Sequence, residues 1–68
     1  MTGRIKNINL KKRFGFLKSD DTGKDYFFHS SEMFDESQFE DLWDGLSVEF
    51  EPVDSPKGPR AIIMKVVG

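Results

Sequence analysis

Two short aromatic segments, separated by a run of turn-forming residues, constrain the fold of this chain more than any other feature. They are Arg13–Leu17 and Tyr26–His29, and Ser19–Lys24 lies between them. Successive side chains of a strand point to opposite faces of its sheet. The pattern therefore predicts a β-hairpin with two unlike faces. One face carries Leu17, Tyr26 and Phe28, and the other carries Phe14, Phe16, Phe27 and His29, which we call the ring platform.

Three further segments have the composition of short strands, namely Gly3–Asn9, Leu46–Glu51 and Ala61–Val67. Pro52–Pro59 contains all three prolines and predicts a turn or loop before the last strand. With hairpin strands over Arg13–Lys18 and Asp25–His29, the chain predicts an all-β, five-stranded antiparallel barrel, because closure removes unpaired sheet edges. The expected interior residues are Ile5, Leu17, Tyr26, Phe28, Val48, Phe50, Ile62 and Met64.

The segment 30–44 has no regular apolar spacing. Its start, Ser30-Ser31-Glu32, predicts the cap of a short helical turn that reaches Phe34. The remainder is acidic and predicts either a long loop or a loop that holds a short helix, ending at Gly45. We call residues 32–44 the acidic segment. We expect Trp43 to pack on the barrel first of all, with an extension of the ring platform or self-association as alternatives.

Size and composition exclude several classes of protein. The chain has 68 residues, one histidine and no cysteine, which predicts one domain over residues 1–68 and disfavours a structural zinc site. We expect no metal and no cofactor. No apolar run approaches the ~20 residues that cross a bilayer, and the N-terminus lacks the apolar region of a signal peptide. We therefore expect no membrane partner, and a soluble monomer in the cytoplasm.

Charge is segregated along the chain although the net charge is only −2. Residues 1–18 hold six bases and no acid, residues 19–54 hold all twelve acids and one base, and residues 55–68 hold three bases. A partner responds to the local field more than to the net charge. The basic ends are compatible with nucleic acid, and equally with ordinary solvated surface.

The ring platform makes poor use of apolar surface unless a ligand covers it. Unpaired nucleic-acid bases are the obvious candidates, because every base has a π-face. The alternative is that these rings belong to the core, as most phenylalanines do. Strand alternation cannot bury Phe14 and Phe16 together with Leu17, so only one of these two sets lies inside, and the family resemblance described next favours the rings outside.

Five motifs follow one another in this chain at compatible spacings. Lys12-Arg13-Phe14-Gly15-Phe16-Leu17 is similar to Lys-Gly-Phe-Gly-Phe-Ile, and Asp25-Tyr26-Phe27-Phe28-His29 is similar to Asp-Val-Phe-Val-His. The others are Gly3-Arg4-Ile5-Lys6 with Asn9, Phe39–Gly45, and Gly58-Pro59-Arg60-Ala61. Together they resemble the cold-shock domain, an OB-fold barrel that binds single-stranded nucleic acid without catalysis. The resemblance spans nearly the whole chain.

The resemblance implies a set of binding residues. Phe14, Phe16 and Phe27 would stack on bases, and His29 would contact a base. Phe39 would fold over the edge of the ring platform, or else only pack within its loop. The cations expected to flank the rings are Lys6, Lys12, Arg13 and Arg60. Asn7, Asn9 and Asp25 would hydrogen-bond a base edge, or would only shape the ends of their strands.

Three departures from the family pattern reduce the expected platform. Asn7-Ile8 stands in place of Trp-Phe, Ser30 in place of Phe, and Arg13 in place of Gly. We expect a binder of single-stranded RNA or DNA with low sequence specificity, acting as an RNA chaperone, that holds fewer bases than its relatives or holds them more weakly. The alternative is an OB-fold protein-interaction module, favoured by the lost rings and by the apolar Phe34 and Trp43 of the acidic segment.

Overall fold

Five strands and two 3₁₀ turns make up the protein, in a computed structural model that describes residues 1–67. The strands are β1 (Thr2–Asn9), β2 (Phe14–Ser19), β3 (Asp25–His29), β4 (Ser47–Ser55) and β5 (Gly58–Val66). The 3₁₀ turns, Ser30–Glu32 and Glu36–Asp41, lie between β3 and β4, so of the two forms expected for this segment the loop that holds a short helix is present. Among these residues, no helix has both the length and the apolar character needed to span a membrane.

The strands close into a barrel in the order β1-β2-β3-β5-β4. This confirms the predicted five-stranded barrel. Four neighbouring pairs are antiparallel, but β3 and β5 are parallel and pair at Phe27 and Arg60. The barrel is therefore antiparallel at every seam except this one. The β4–β5 hairpin follows the 3₁₀ turns, and its second strand meets β3 running in the same direction.

A bulge in β1 brings a β1 side chain close to Gly15, the glycine between the two platform rings of β2. The register of β1 with β2 shifts between Lys6 and Asn9, and Asn7 has a left-handed backbone with φ of 52°. Beside it, Ile8 packs against the core. A Cβ on Gly15 would stand 2.9 Å from Ile8 Cδ1 and 3.0 Å from the ring of Phe28. A side chain at this position would displace Ile8 Cδ1 and press against the Phe28 ring, so close approach, and not backbone conformation, is what favours glycine here.

The barrel interior confirms six of the eight predicted core residues, and β5 supplies the two errors. Ile62 is only partly buried and Met64 is 47% exposed, whereas Ala61 and Ile63 lie inside. The apolar run of β5 has no alternation of its own, so its inward face is decided by pairing with β4. The remaining buried apolar side chains are Ile5, Leu17, Tyr26, Phe28, Met33, Phe39, Leu42, Leu46, Val48 and Phe50.

The predicted loop over Pro52–Pro59 is mostly strand. β4 continues to Ser55 and β5 begins at Gly58, which leaves only two residues between them. β1 pairs with β4 only as far as Glu49, so the part of β4 beyond Glu49 pairs with β5 alone. A proline in this part of β4 is tolerated because one side of the strand has no partner that needs its missing N–H. Ser55 Oγ donates a hydrogen bond to the carbonyl of Gly58, 2.7 Å away, and closes the turn.

The acidic segment covers one part of the barrel with three apolar side chains, Met33, Phe39 and Leu42. Phe39 is 0% exposed, and its ring meets that of Phe28 edge-on at 6.3 Å between centroids. The prediction that Phe39 folds over the edge of the ring platform is therefore wrong, and its alternative, plain packing of the loop, describes the observed position. The exposed phenylalanine of this segment is Phe34, which is 80% exposed.

Substituting Gly15 tests the close packing beneath the platform. We expect Gly15→Ala to lower the free energy of unfolding by about 1–3 kcal/mol, because the added methyl overpacks the space beside Ile8 and Phe28. Urea unfolding followed by circular dichroism measures this loss. Ile8→Val deletes the Cδ1 atom concerned, so the double variant should lose less than the sum of the single losses. A Gly15→Ala variant as stable as the parent would contradict the packing described.

Phe39 and Phe34 form a matched pair for testing the burial of the acidic segment. Truncating a buried phenylalanine to alanine lowers the free energy of unfolding by ~3–5 kcal/mol, which could unfold a domain of this size. For the milder Phe39→Leu we expect the free energy of unfolding to fall by about 1–2 kcal/mol. Phe34→Leu should stay within about 0.5 kcal/mol of the parent, as exposed substitutions do. Urea unfolding of both variants gives the comparison, and equal losses would contradict it.

Candidate nucleic-acid interface

Three phenylalanine rings of β2 and β3 lie against one another on the outer face of the barrel. Phe14 and Phe16 meet edge-on at 6.3 Å between centroids, and Phe27 lies 5.7 Å from Phe14 and 5.6 Å from Phe16. All three are partly exposed, while Leu17 and Phe28 beside them point into the core. The predicted alternation is therefore present, and the rings form one continuous apolar surface.

The strand register arranges the outer face into two rows. In one row, pairing residues run from Lys6 through Phe16 and Phe27 to Arg60, across β1, β2, β3 and β5. In the other row, Phe14 pairs with Asn9 on one side and with His29 on the other. The ring platform thus has β1 cationic and polar side chains along one border and the Arg60 guanidinium along the opposite border.

His29 is oriented by the 3₁₀ turn that follows it. Its Nδ1 accepts a hydrogen bond from the backbone N–H of Ser31 at 3.2 Å, and Ser31 Oγ lies 3.0 Å from the same nitrogen. A neutral imidazole whose Nδ1 accepts carries its proton on Nε2. The ring therefore offers an Nε2–H donor together with a flat face at the end of the ring platform.

Arg60 lies over a platform ring and is held there by a carboxylate. Its Cζ is 4.9 Å from the centroid of Phe27. Glu32 accepts a hydrogen bond from Arg60 Nε at 3.1 Å and a second from Nη2. The hydrogen bond to Glu32 is the main cause of a raised pKa for the Arg60 guanidinium. Sequence reasoning missed Glu32, because its role rests on a contact between residues 28 positions apart.

Arg13 occupies a position with a left-handed backbone, at φ of 58°. A glycine would adopt this conformation without strain, which accounts for the glycine of the family pattern at this place. The Arg13 side chain turns toward the acidic segment: Nε donates to Ser30 Oγ at 3.3 Å, Nη1 donates to Glu40 at 3.3 Å, and Cζ lies 5.1 Å over the ring of Phe39. It therefore lies at one end of the platform rather than over its rings.

The other predicted polar residues have local partners. Lys6 Nζ donates to Asp25 Oδ2 at 2.9 Å. Asn9 Oδ1 accepts from the backbone N–H of Lys12 at 3.0 Å, so this amide shapes the β1–β2 connection. Lys12 is exposed. The strand-shaping alternative expected for Asn9 has direct support, and Asp25 is engaged by a platform-side cation.

Two further features of the surface bear on function. Trp43, expected to pack on the barrel, is 54% exposed, while its neighbours Leu42 and Leu46 are buried. Residues 1–67 bring together no cluster of three or more metal-ligating side chains. The outer face therefore offers rings, hydrogen-bond donors and cations.

Comparisons with known proteins agree with this geometry. The family model described as the 'Cold-shock' DNA-binding domain matches residues 1–67. Cold shock-like protein CspC of Bacillus cereus is 41% identical over 61 residues, covering 90% of this chain and 91% of that protein. A cold shock-like protein of Aquifex aeolicus is 38% identical over 66 residues, covering 97% and 93%. Cold shock-like protein CspI of Escherichia coli is 40% identical over 62 residues, covering 91% and 87%.

The family match extends over the five strands and the acidic segment, and the relatives align over most of their own length. The resemblance inferred from the five sequence motifs is thereby confirmed. The chain belongs to the cold-shock domain family, whose members are non-enzymatic OB-fold proteins that bind nucleic acid.

Proposed function

We propose that this protein binds single-stranded RNA or DNA with low sequence specificity by stacking bases on the ring platform. One observation carries the proposal: the rings of Phe14, Phe16 and Phe27 are in mutual contact, with centroids 5.6 to 6.3 Å apart, on the outer face of the barrel. The inner face of the same strands already has a core of its own. The outer rings are therefore not needed to fill the barrel.

Stacking on flat rings distinguishes single-stranded from double-stranded nucleic acid more than it distinguishes one base from another. A base in a duplex has its π-faces covered by its neighbours, whereas an unpaired base can stack on a side chain. Every base has such a face, so stacking tolerates many sequences. Occupying the unpaired state would oppose base pairing, which is the action of an RNA chaperone. Action in the cytoplasm as a monomer belongs to the same proposal.

The reduced platform predicts modest affinity. Ile8 packs on the core and Asn7 forms the bulge, so β1 contributes no ring to the outer face. Ser30 is buried and accepts a hydrogen bond from Arg13, so the position after His29 contributes none either. We infer that the platform holds fewer bases, or holds them more weakly, than one with rings at these places.

Alanine substitutions on the platform test the proposal. We expect Phe14→Ala or Phe27→Ala to weaken binding of a fluorescein-labelled oligothymidine by about 5- to 150-fold, since a stacked base contributes ~1–3 kcal/mol. Fluorescence anisotropy at low salt gives the dissociation constants. A label is preferable to intrinsic fluorescence because the only tryptophan, Trp43, lies outside the platform.

Phe34→Ala serves as the matched control, because Phe34 is an exposed phenylalanine outside the ring platform. Its affinity should equal that of the parent. Circular dichroism melting establishes that each variant is folded. Absence of saturable binding by the parent at micromolar concentration, or unchanged affinity in Phe14→Ala and Phe27→Ala, would contradict the proposal.

A second candidate function is an OB-fold protein-interaction module. The observation that favours it is the exposure of Phe34 and Trp43, at 80% and 54%, because exposed large apolar side chains can mark a partner surface. A protein partner that binds Phe14→Ala normally but fails to bind Phe34→Ala or Trp43→Ala would support this function. Sedimentation of the parent with oligonucleotide separates the two candidates.

A further inference from the structure

Three of the four cations expected to flank the ring platform are paired with carboxylates of the same chain. Lys6 pairs with Asp25 at 2.9 Å, Arg13 with Glu40 at 3.3 Å, and Arg60 with Glu32. A phosphate group approaching any of these cations therefore meets a carboxylate already in place. How strongly each carboxylate competes determines which cations are available to nucleic acid.

The three pairs are not equivalent. The side chains of the Lys6–Asp25 pair are 38% and 51% exposed, and those of the Arg13–Glu40 pair are 36% and 75% exposed. Exposed pairs contribute only about 0.2–1 kcal/mol, so phosphate can displace such a carboxylate. In the third pair the Arg60 and Glu32 side chains are 27% and 26% exposed, and two hydrogen bonds join them.

The hydrogen bonds that Arg60 makes to Glu32 occupy one edge of its guanidinium. Nε and Nη2 both donate to Glu32, so the carboxylate neutralises the guanidinium and occupies one of the two edges by which it could bind a phosphate. The guanidinium also lies 4.9 Å from the centroid of Phe27. A planar guanidinium can itself stack on a base. Arg60 is thus arranged as an extra stacking surface at the β5 border.

We propose that Glu32 is a positioning residue that withdraws Arg60 from phosphate binding and presents it for base stacking beside Phe27. The pair is electroneutral, so the phosphates of the bound strand contact cations at the β1–β2 border instead. Lys12 is the clearest of these, since it takes part in none of the ion pairs within residues 1–67. This inference rests on the proposed binding of single strands.

Salt titrations of oligothymidine binding test the inference. The logarithm of the binding constant falls with the logarithm of salt concentration, with a slope of about −0.7 for each phosphate contacted on a single strand. We expect Glu32→Gln to steepen the slope by about 0.7 and to raise affinity at low salt, because Arg60 gains a phosphate. The Lys12→Gln variant is the positive control, and its slope should be shallower by about 0.7.

The double variant Glu32→Gln/Arg60→Gln removes the pair without changing net charge. We expect its slope to equal that of the parent, while its affinity falls about two- to fivefold at every salt concentration, as the loss of a stacked guanidinium would cause. A shallower slope in the double variant, or an unchanged slope in Glu32→Gln, would overturn the inference. If the parent does not bind oligothymidine at all, the proposed function itself fails. Circular dichroism melting verifies that every variant is folded.

Discussion

The pairing of β2 with β3 is the constraint on which both the core and the candidate site depend. In this register Phe16 pairs with Phe27 and Leu17 pairs with Tyr26. The same two strands therefore place the platform rings on the outer face and the core side chains on the inner face of the barrel. A slip by one residue would exchange the two faces. The loss of the platform would then coincide with the loss of the core, because the same backbone hydrogen bonds position both. Gly15 supports this arrangement by leaving room for Ile8 and Phe28 beneath the rings.

The sequence predicts this hairpin well because both of its determinants are local. Alternation assigns the faces and the turn-forming residues join the strands, so the observed bounds of β3 equal the predicted ones. β5 was less predictable because four consecutive apolar residues, 61–64, have no alternation, and pairing with β4 decides which of them point inward. The choice between Phe34 and Phe39 in the acidic segment likewise depends on packing against Phe28. The role of Glu32 depends on the parallel seam that brings β5 beside β3.

Two positions where the chain departs from the family pattern carry left-handed backbones without glycine. Asn7 and Arg13 have φ of 52° and 58°, and such conformations cost of order 1–3 kcal/mol in non-glycine residues unless surrounding contacts offset them. Asparagine tolerates the left-handed region comparatively well. Arg13 makes compensating contacts with Ser30, Glu40 and Phe39. The guanidinium of Arg13, which stands where the family pattern has glycine, therefore contacts the acidic segment and holds it against the barrel.

Segregated charge in the sequence becomes paired charge in the fold. Each of the four ion pairs within residues 1–67 joins a base from the two basic ends to an acid from the middle of the chain: Arg4 to Asp20, Lys6 to Asp25, Arg13 to Glu40, and Arg60 to Glu32. Four of the nine bases in the two basic ends therefore have an acid of the same chain as partner, whereas Lys12 takes part in none of these four pairs. Under the proposed function, a net charge of −2 adds no long-range attraction for phosphates, so the affinity for single strands would come chiefly from the rings and from the guanidinium that Glu32 holds beside them.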